Sequence, residues 1–253
     1  MIFVLAGTQD GREIAQRLAR ESGEAVLASV VSDYGKALAK APALEVSARP
    51  LDEAALRALL VGRGVRAVVD ASHPYAAHIS QTAIRLCAAL GIRYIRYERA
   101  QSELPPYEKL YRVSSYEEAA RKAAALGRRV FLTTGSRNLA VFANAPELAD
   151  CELTARVLPE SGVLAQCARL GFTPKQIVAL QGPFSQALNR ELYKQYGAEV
   201  VVTKNSGSVG GTDTKLAAAM ELGLAVVVIE RPAVEYPLLT RSYEEIVEAL
   251  AGK

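Results

Sequence analysis

"VVTKNSGSVGGTDTKLAAAMELGLAVVVIE", residues 201–230, sets a β-branched run, a glycine-rich turn, an alanine-rich helical window and a second β-branched run in a row. That order is the pattern of a parallel α/β sheet, in which a helix carries the chain from one buried strand to the next. The turn is not the phosphate loop of nucleotide hydrolases, because Gly211 is followed by Thr212, Asp213, Thr214 and Lys215 rather than by Lys-Ser/Thr. What remains is flexible backbone rich in N–H donors ahead of a helix N-terminus. Aligned amides and the helix dipole make such a place receptive to carboxylates or phosphates.

Outward from this stretch the same alternation covers the chain. Strands are expected near residues 2–5, 25–31, 44–48, 67–70 and 93–97, with helices near 11–20, 53–60 and 77–90 between several of them. Pro105-Pro106 cannot continue a helix, and "YEKLY" (107–111) reads as a proline-bounded linker. Beyond it come a helix at 116–126, strands at 129–133 and 151–157, a helix at 163–170, a strand at 176–180, a helix at 186–196, strands at 199–203 and 225–229 flanking a helix at 214–222, and a last helix after Ser242. The expectation is an α/β protein of two doubly wound parallel-sheet domains, 1–104 and 105–253. A chain of 253 residues, half of them hydrophobic, has material for two such cores.

Composition narrows the function. Net charge is only +3, with 30 basic residues dispersed among 27 acidic ones, so no basic stripe suited to nucleic acid is present. Cys87, Cys151 and Cys167 have no CxxC or Cys/His pairing, and with two histidines no metal site is expected. The first apolar run lasts six residues, too short for a secretion signal, and no stretch reaches the ~18 apolar residues of a membrane span. A cytoplasmic location is expected.

In doubly wound sheets ligands bind beyond the carboxyl ends of the strands, and five predicted strand exits carry small, polar or turn residues. "LAGTQDGREIA" (5–15) follows the first strand but lacks the full G-x-G-x-x-G fingerprint, since Ala6 and Asp10 stand where glycines belong. Either Gly7 lets backbone approach a phosphate while Thr8 donates its hydroxyl, or the segment is a tight turn with Asp10 capping the next helix. Past the second strand, Asp33 suits a ribose 2′-hydroxyl, whereas Ser29, Ser32 and Lys36 suit a 2′-phosphate. "VVDASHPYAAH" (68–78) ends a buried strand on Asp70 and then offers Ser72, His73, Pro74 and Tyr75, with Pro74 expected in the first helical turn and His78 on that helix's surface. An imidazole and a phenol there can donate protons or bind carboxylates. In "FLTTGSRNL" (131–139), Thr134, Gly135, Ser136 and Arg137 form either an anion-binding loop or an exposed cap.

Taken together, "VLAGTQDGREIA", "VVDASHPYA", "LTTGSRNL", "LQGPFS" and "TKNSGSVGGTDTKLAAAMELG" followed by "VVVIERP" resemble, in order and spacing, the precorrin-6A reductase family of corrin (cobalamin) biosynthesis, metal-free and cobalt-dependent branches alike. The chain departs from that pattern at Gln9-Asp10 and at Asn205. The resemblance implies two Rossmann-like domains, with a strand exchange between them allowed, and NADPH or NADH meeting a tetrapyrrole in the cleft. It implies hydride transfer to C19, reducing the C18=C19 double bond of precorrin-6A or cobalt-precorrin-6A, and transient contact with other enzymes of the pathway. Cofactor contacts then fall to Gly7, Thr8, Gln9, Asp10, Ser29, Ser32, Asp33, Asp70 and Ser72. Substrate contacts fall to His73, Tyr75, Thr134, Gly135, Ser136, Arg137, Lys204, Asn205, Ser206, Gly207, Gly210, Gly211 and Lys215, with Tyr75 and His73 as proton donors.

Two other readings of the residues stand beside this one. One is a different NAD(P)-dependent reductase, although no Tyr-x-x-x-Lys pair of the short-chain kind lies on a helix. The other is a non-enzymatic sensor of nucleotides or small molecules built on two α/β lobes.

Overall fold

In the computed structural model, which describes residues 1–49, 51–99, 103–207 and 211–252, β1 (Ile2–Leu5) is buried on both faces. Ile2 and Val4 join one core cluster, Phe3 and Leu5 another. This period-two split explains the unbroken apolar run: a parallel strand covered by helices on both sides has no polar face to show.

The first unit continues through α1 (Gln9–Glu21), β2 (Val26–Ser29), α2 (Asp33–Ala39), β3 (Leu44–Ser47), α3 (Glu53–Gly62), β4 (Ala67–Asp70), α4 (Ala77–Leu90) and β5 (Arg93–Tyr97). The second comprises β6 (Leu110–Val113), α5 (Tyr116–Leu126), β7 (Arg129–Leu132), α6 (Leu139–Ala143), β8 (Glu152–Val157), α7 (Ser161–Arg169), β9 (Ile177–Ala179), α8 (Gln186–Gln195), β10 (Val200–Lys204), α9 (Thr212–Glu221) and β11 (Ala225–Ile229). The chain closes with β12 (Leu239–Thr240) and α10 (Tyr243–Ala251). Several helices start where a short polar side chain accepts an otherwise unsatisfied N–H: Thr8 from Gly11, Ser32 from Gly35, Asp52 from Ala55, Ser185 from Leu188. Among the described residues no helix is long and apolar enough to cross a membrane.

Both sheets are parallel and six-stranded, in the orders β12-β5-β4-β1-β2-β3 and β6-β11-β10-β7-β8-β9. In the first, the strand order reverses between β1 and β4; in the second, between β7 and β10. These reversals open a crevice at the carboxyl ends of the two strands, where successive connections leave in opposite directions. The fold is the two-sheet α/β architecture expected.

Three details differ from the sequence expectation. Pro232–Lys253 clusters with Met1–Ala100, while Gln101–Arg231 forms the other unit, so the tail does not stay with residues 105–231. Ile246, Ala249 and Leu250 of α10 bury beside Ile2, Val4 and Ile95, and Leu239 and Thr240 pair with Arg96 and Tyr97. The expected linker around 107–111 contains the start of β6, which pairs with β11 through Leu110↔Val226. Residues 33–39, unassigned from sequence, form α2, with Gly35 and Ala39 buried.

Candidate functional site

At the reversal in the first sheet, the loops after β1 and β4 are tied by Thr8, whose Oγ1 donates to the Ala71 carbonyl at 2.9 Å and accepts from Gly11 N–H at 3.0 Å. Thr8, not Asp10, caps α1. Asp10 lies in its first turn, paired with Arg99 at 2.5 Å, and burial pushes its pKa up against the opposing pull of Arg99. The two glycines differ in kind. A Cβ on Gly11 would stand 2.8 Å from Ala6 Cα and 2.9 Å from the Ala71 carbonyl oxygen, so helix and strand can approach only without a side chain. A Cβ on Gly7 would meet nothing closer than Val31 Cγ1 at 3.8 Å, so the fold itself leaves room there. Gln9 is exposed and bonded to Glu13, Ser29 is buried at the end of β2, and Ser32 is occupied as the α2 cap. Asp33 and Lys36 line a cavity of about 640 Å³ along the edge of β3, together with Ser47 and Arg49.

Asp70, expected at the cofactor, is fully buried. Its carboxylate accepts from Tyr94 OH at 2.6 Å, Arg96 at 3.0 Å and Ser72 N–H at 2.9 Å. Burial pushes its pKa up, but Arg96 and the hydroxyl donors prevail and hold it below the usual carboxylate value. Arg96, also 0% exposed, reaches onward to Ser72 Oγ at 3.2 Å and to Glu98 at 2.9 Å, and lies 5.1 Å from the centre of the Tyr236 ring. The network therefore sets the backbone that leads into His73 and Tyr75. Those two rings stand 5.6 Å apart, and His73 Nδ1 accepts from Tyr75 N–H at 3.3 Å, which leaves Nε2 as the protonated nitrogen of a neutral imidazole. α4 begins at Ala77, where the periodicity places it, but Pro74 and Tyr75 form a turn ahead of it, so Pro74 does not lie in its first helical turn; His78 is exposed.

At the reversal in the second sheet, Gly135 (φ 79°) turns the chain after β7 and Gly207 (φ 81°) after β10, both in the left-handed region that favours glycine. Thr212 pins the latter loop: its hydroxyl donates to the Lys204 carbonyl and accepts from Ser206 N–H, both at 3.2 Å. Asn205 is buried, its carbonyl accepting from Arg231 at 3.0 Å. Gly211 is the α9 N-cap, which offers no side chain to the first-turn amides; Gly210 lies outside the described residues. Around these loops gather four cations. Arg137 follows β7 and is exposed; Lys204 ends β10 and Lys215 lies near the start of α9, both half-buried; Arg156 is the second-to-last residue of strand β8. Burial, assisted by Arg137, pulls the Lys204 pKa down to about 8, and burial with Arg156 and Lys204 pulls Lys215 down to about 7. Arg156 is 6% exposed and no carboxylate pairs with it among the described residues. Three buried hydroxyls, of Thr134, Thr203 and Tyr193, have no hydrogen-bond partner among the described residues. Stranding such groups costs about 1–3 kcal/mol each, and an unpaired charge more.

The chain matches the precorrin-6x reductase CbiJ/CobK family over residues 1–251. It belongs to that family. A cobalt-precorrin-6A reductase from Priestia megaterium is 42% identical over 254 residues, covering 100% of this chain and 99% of the relative. One from Salmonella typhimurium is 38% identical, covering 99% and 93%. Among solved structures, a CobK precorrin-6A reductase superposes with a TM-score of 0.78 at 28% identity, covering 99% of this chain and 96% of that one.

Sequence reasoning about this family member missed Arg156, Asn189, Tyr94 and Arg96. The signal was present: "RYIRY" (93–97) and "ELTARV" (152–157) each put an arginine inside a strand that must be buried on both faces. A charge in such a place is paired or functional.

Proposed function

We propose that the protein reduces precorrin-6A, or its cobalt complex, to the corresponding precorrin-6B with NADH or NADPH. The observation that carries this reading is Arg156 at the second sheet's reversal, buried with no carboxylate paired to it among the described residues, with the half-buried Lys204 and Lys215 and the exposed Arg137 around the same loops. Its charge and its stranded donors suit a macrocycle rimmed with acetates and propionates. The Gly7–Thr8 turn, open to an outside group ahead of the α1 N-terminus, fits a cofactor pyrophosphate, and Ser32 and Asp33 fit the adenosine ribose. When bound, the cofactor supplies a hydride to C19, and a proton at C18 completes reduction of the C18=C19 bond. The protein's share is to bind, orient and exclude water, with no nucleophile of its own. The assay is loss of NAD(P)H absorbance with metal-free and cobalt-bound precorrin-6A supplied separately; no loss with either overturns the proposal.

Gly7→Val is expected to raise the cofactor dissociation constant at least tenfold, about 1.4 kcal/mol, because the added methyls enter space that the fold leaves open. Unchanged binding in a folded variant moves the cofactor elsewhere.

Tyr75 and His73 are the proposed proton donors, the phenol directly and the imidazole from its doubly protonated form, in which Nδ1 gives up the contact with Tyr75 N–H and the ring returns to neutral once the proton has left. Proton transfer from a placed acid contributes typically 10²- to 10⁴-fold. Single-turnover reduction at saturating cofactor and substrate is expected to slow by that order in Tyr75→Phe or His73→Asn. Rates within threefold of wild type in both assign the proton to solvent or to the substrate's own carboxylic acids.

A further inference from the structure

Two arginines sit inside buried parallel strands, and the chain treats them oppositely. Arg96 is set between two carboxylates, Asp70 at 3.0 Å and Glu98 at 2.9 Å. Arg156 donates to the Asn189 amide oxygen at 2.7 Å and lies 4.3 Å from the centre of the Phe184 ring. Asn189 is 0% exposed and is itself held: its Nδ2 donates to the Ser185 carbonyl at 3.0 Å and lies 3.4 Å from Thr214 Oγ1. Thr214 Oγ1 in turn donates to the Phe184 carbonyl at 3.0 Å. One amide thus ties the start of α8, the 180–185 loop and the start of α9 to a single guanidinium. An aspartate has almost the same shape, and there it would neutralise Arg156 from within.

We propose that Asn189 is a positioning residue for substrate binding: its neutral oxygen aims the Arg156 guanidinium without cancelling its charge, leaving that charge for a carboxylate of the macrocycle. This rests on the reading above that the cation group receives the substrate. A guanidinium presents five N–H donors in a planar fork, so one bond to an amide fixes its plane and leaves donors for a second, anionic acceptor. A carboxylate at position 189 would take both the charge and the geometry.

The test compares Asn189→Asp, Asn189→Leu and Arg156→Met in steady-state reduction of the tetrapyrrole, with direct titration of NAD(P)H. Asn189→Asp is expected to raise the tetrapyrrole KM at least tenfold, with kcat within threefold and cofactor Kd within twofold of wild type. Asn189→Leu, which removes the acceptor without adding charge, is expected to raise KM by less, though more than twofold. A KM within twofold of wild type in Asn189→Asp, while Arg156→Met raises it, overturns the role of Asn189 and leaves the substrate site standing. No rise in any of the three overturns the site as well. Parallel losses of kcat, KM and cofactor affinity mark a general structural effect and also overturn the role. Should Asn189→Asp not fold, Asn189→Leu decides: a KM within twofold of wild type refutes the proposal.

Discussion

Arg96→Met is expected to lower the unfolding free energy by about 3–5 kcal/mol, because it leaves the Asp70 carboxylate buried with its counter-charge gone. The loss exceeds that of a surface pair, about 0–1 kcal/mol, since no water reaches Asp70 to take the place of the guanidinium. The link to the C-terminal segment is made by backbone groups that methionine keeps: Arg96 N–H donates to the Leu238 carbonyl at 2.8 Å, and Thr240 Oγ1 donates to the Arg96 carbonyl at 2.8 Å, so the loss is assigned to the buried charge. Urea unfolding measures the change, and a loss under about 1 kcal/mol would show that the pair is dispensable. Adding Asp70→Asn to Arg96→Met should recover part of the stability, because the amide removes the stranded charge and still accepts from Ser72 N–H. In the wild type the Asp70 pKa is depressed on folding. Its contribution is therefore complete above the ordinary carboxylate range and is lost as pH falls through the depressed folded value.

Arg156→Met is expected to act in the opposite sense on the free protein. Its charge is buried without a carboxylate, so replacing it by an apolar side chain of similar length should leave the unfolding midpoint unchanged or higher. The tetrapyrrole KM should nevertheless rise roughly tenfold to a hundredfold, the equivalent of one charge-assisted hydrogen-bonded contact of about 1.5–3 kcal/mol. A function-bearing site kept at the expense of stability shows this divergence. A fall in midpoint together with an unchanged KM would make Arg156 a structural residue like Arg96. The lysines beside it give the same site a pH signature. Lys204 at about 8 and Lys215 at about 7 are both depressed from the ordinary lysine value. From about pH 7 to the lysine value of the unfolded chain, about 10.4, the unfolded state holds more protons, so the free protein gains stability as pH rises through that window. A bound polycarboxylate favours the protonated lysines, so its KM should climb above about pH 7. Binding at pH 8 should take up about one proton, measurable by calorimetry in buffers of different ionisation enthalpy.

The sequence by itself determined the class of fold and which strand exits carry glycine and short polar residues. Both are local properties. A strand buried on two faces shows as an apolar run, an amphipathic helix as a spaced one, and the ends of parallel strands as turns of glycine and short polar residues. Thr8, Asp70, the Ser72–Tyr75 turn and the loops after Thr133 and Lys204 were legible on those grounds, and all lie at the two strand-order reversals. Only the tertiary structure decided which sheet receives the last strand and helix. The apolar stripe of α10, carrying Ile246 and Leu250, fits either sheet by pattern, and its choice depends on the surface left open beside Ile2, Val4 and Ile95. The tertiary structure likewise separated the two strand arginines. Each reads as a cation in an apolar strand, but a buried charge takes its meaning from what lies within hydrogen-bonding distance. Those partners come from elsewhere in the chain: Asp70, 26 residues from Arg96, and Asn189, 33 residues from Arg156. One partner neutralises and the other does not, and that difference depends on how distant segments are brought together in space.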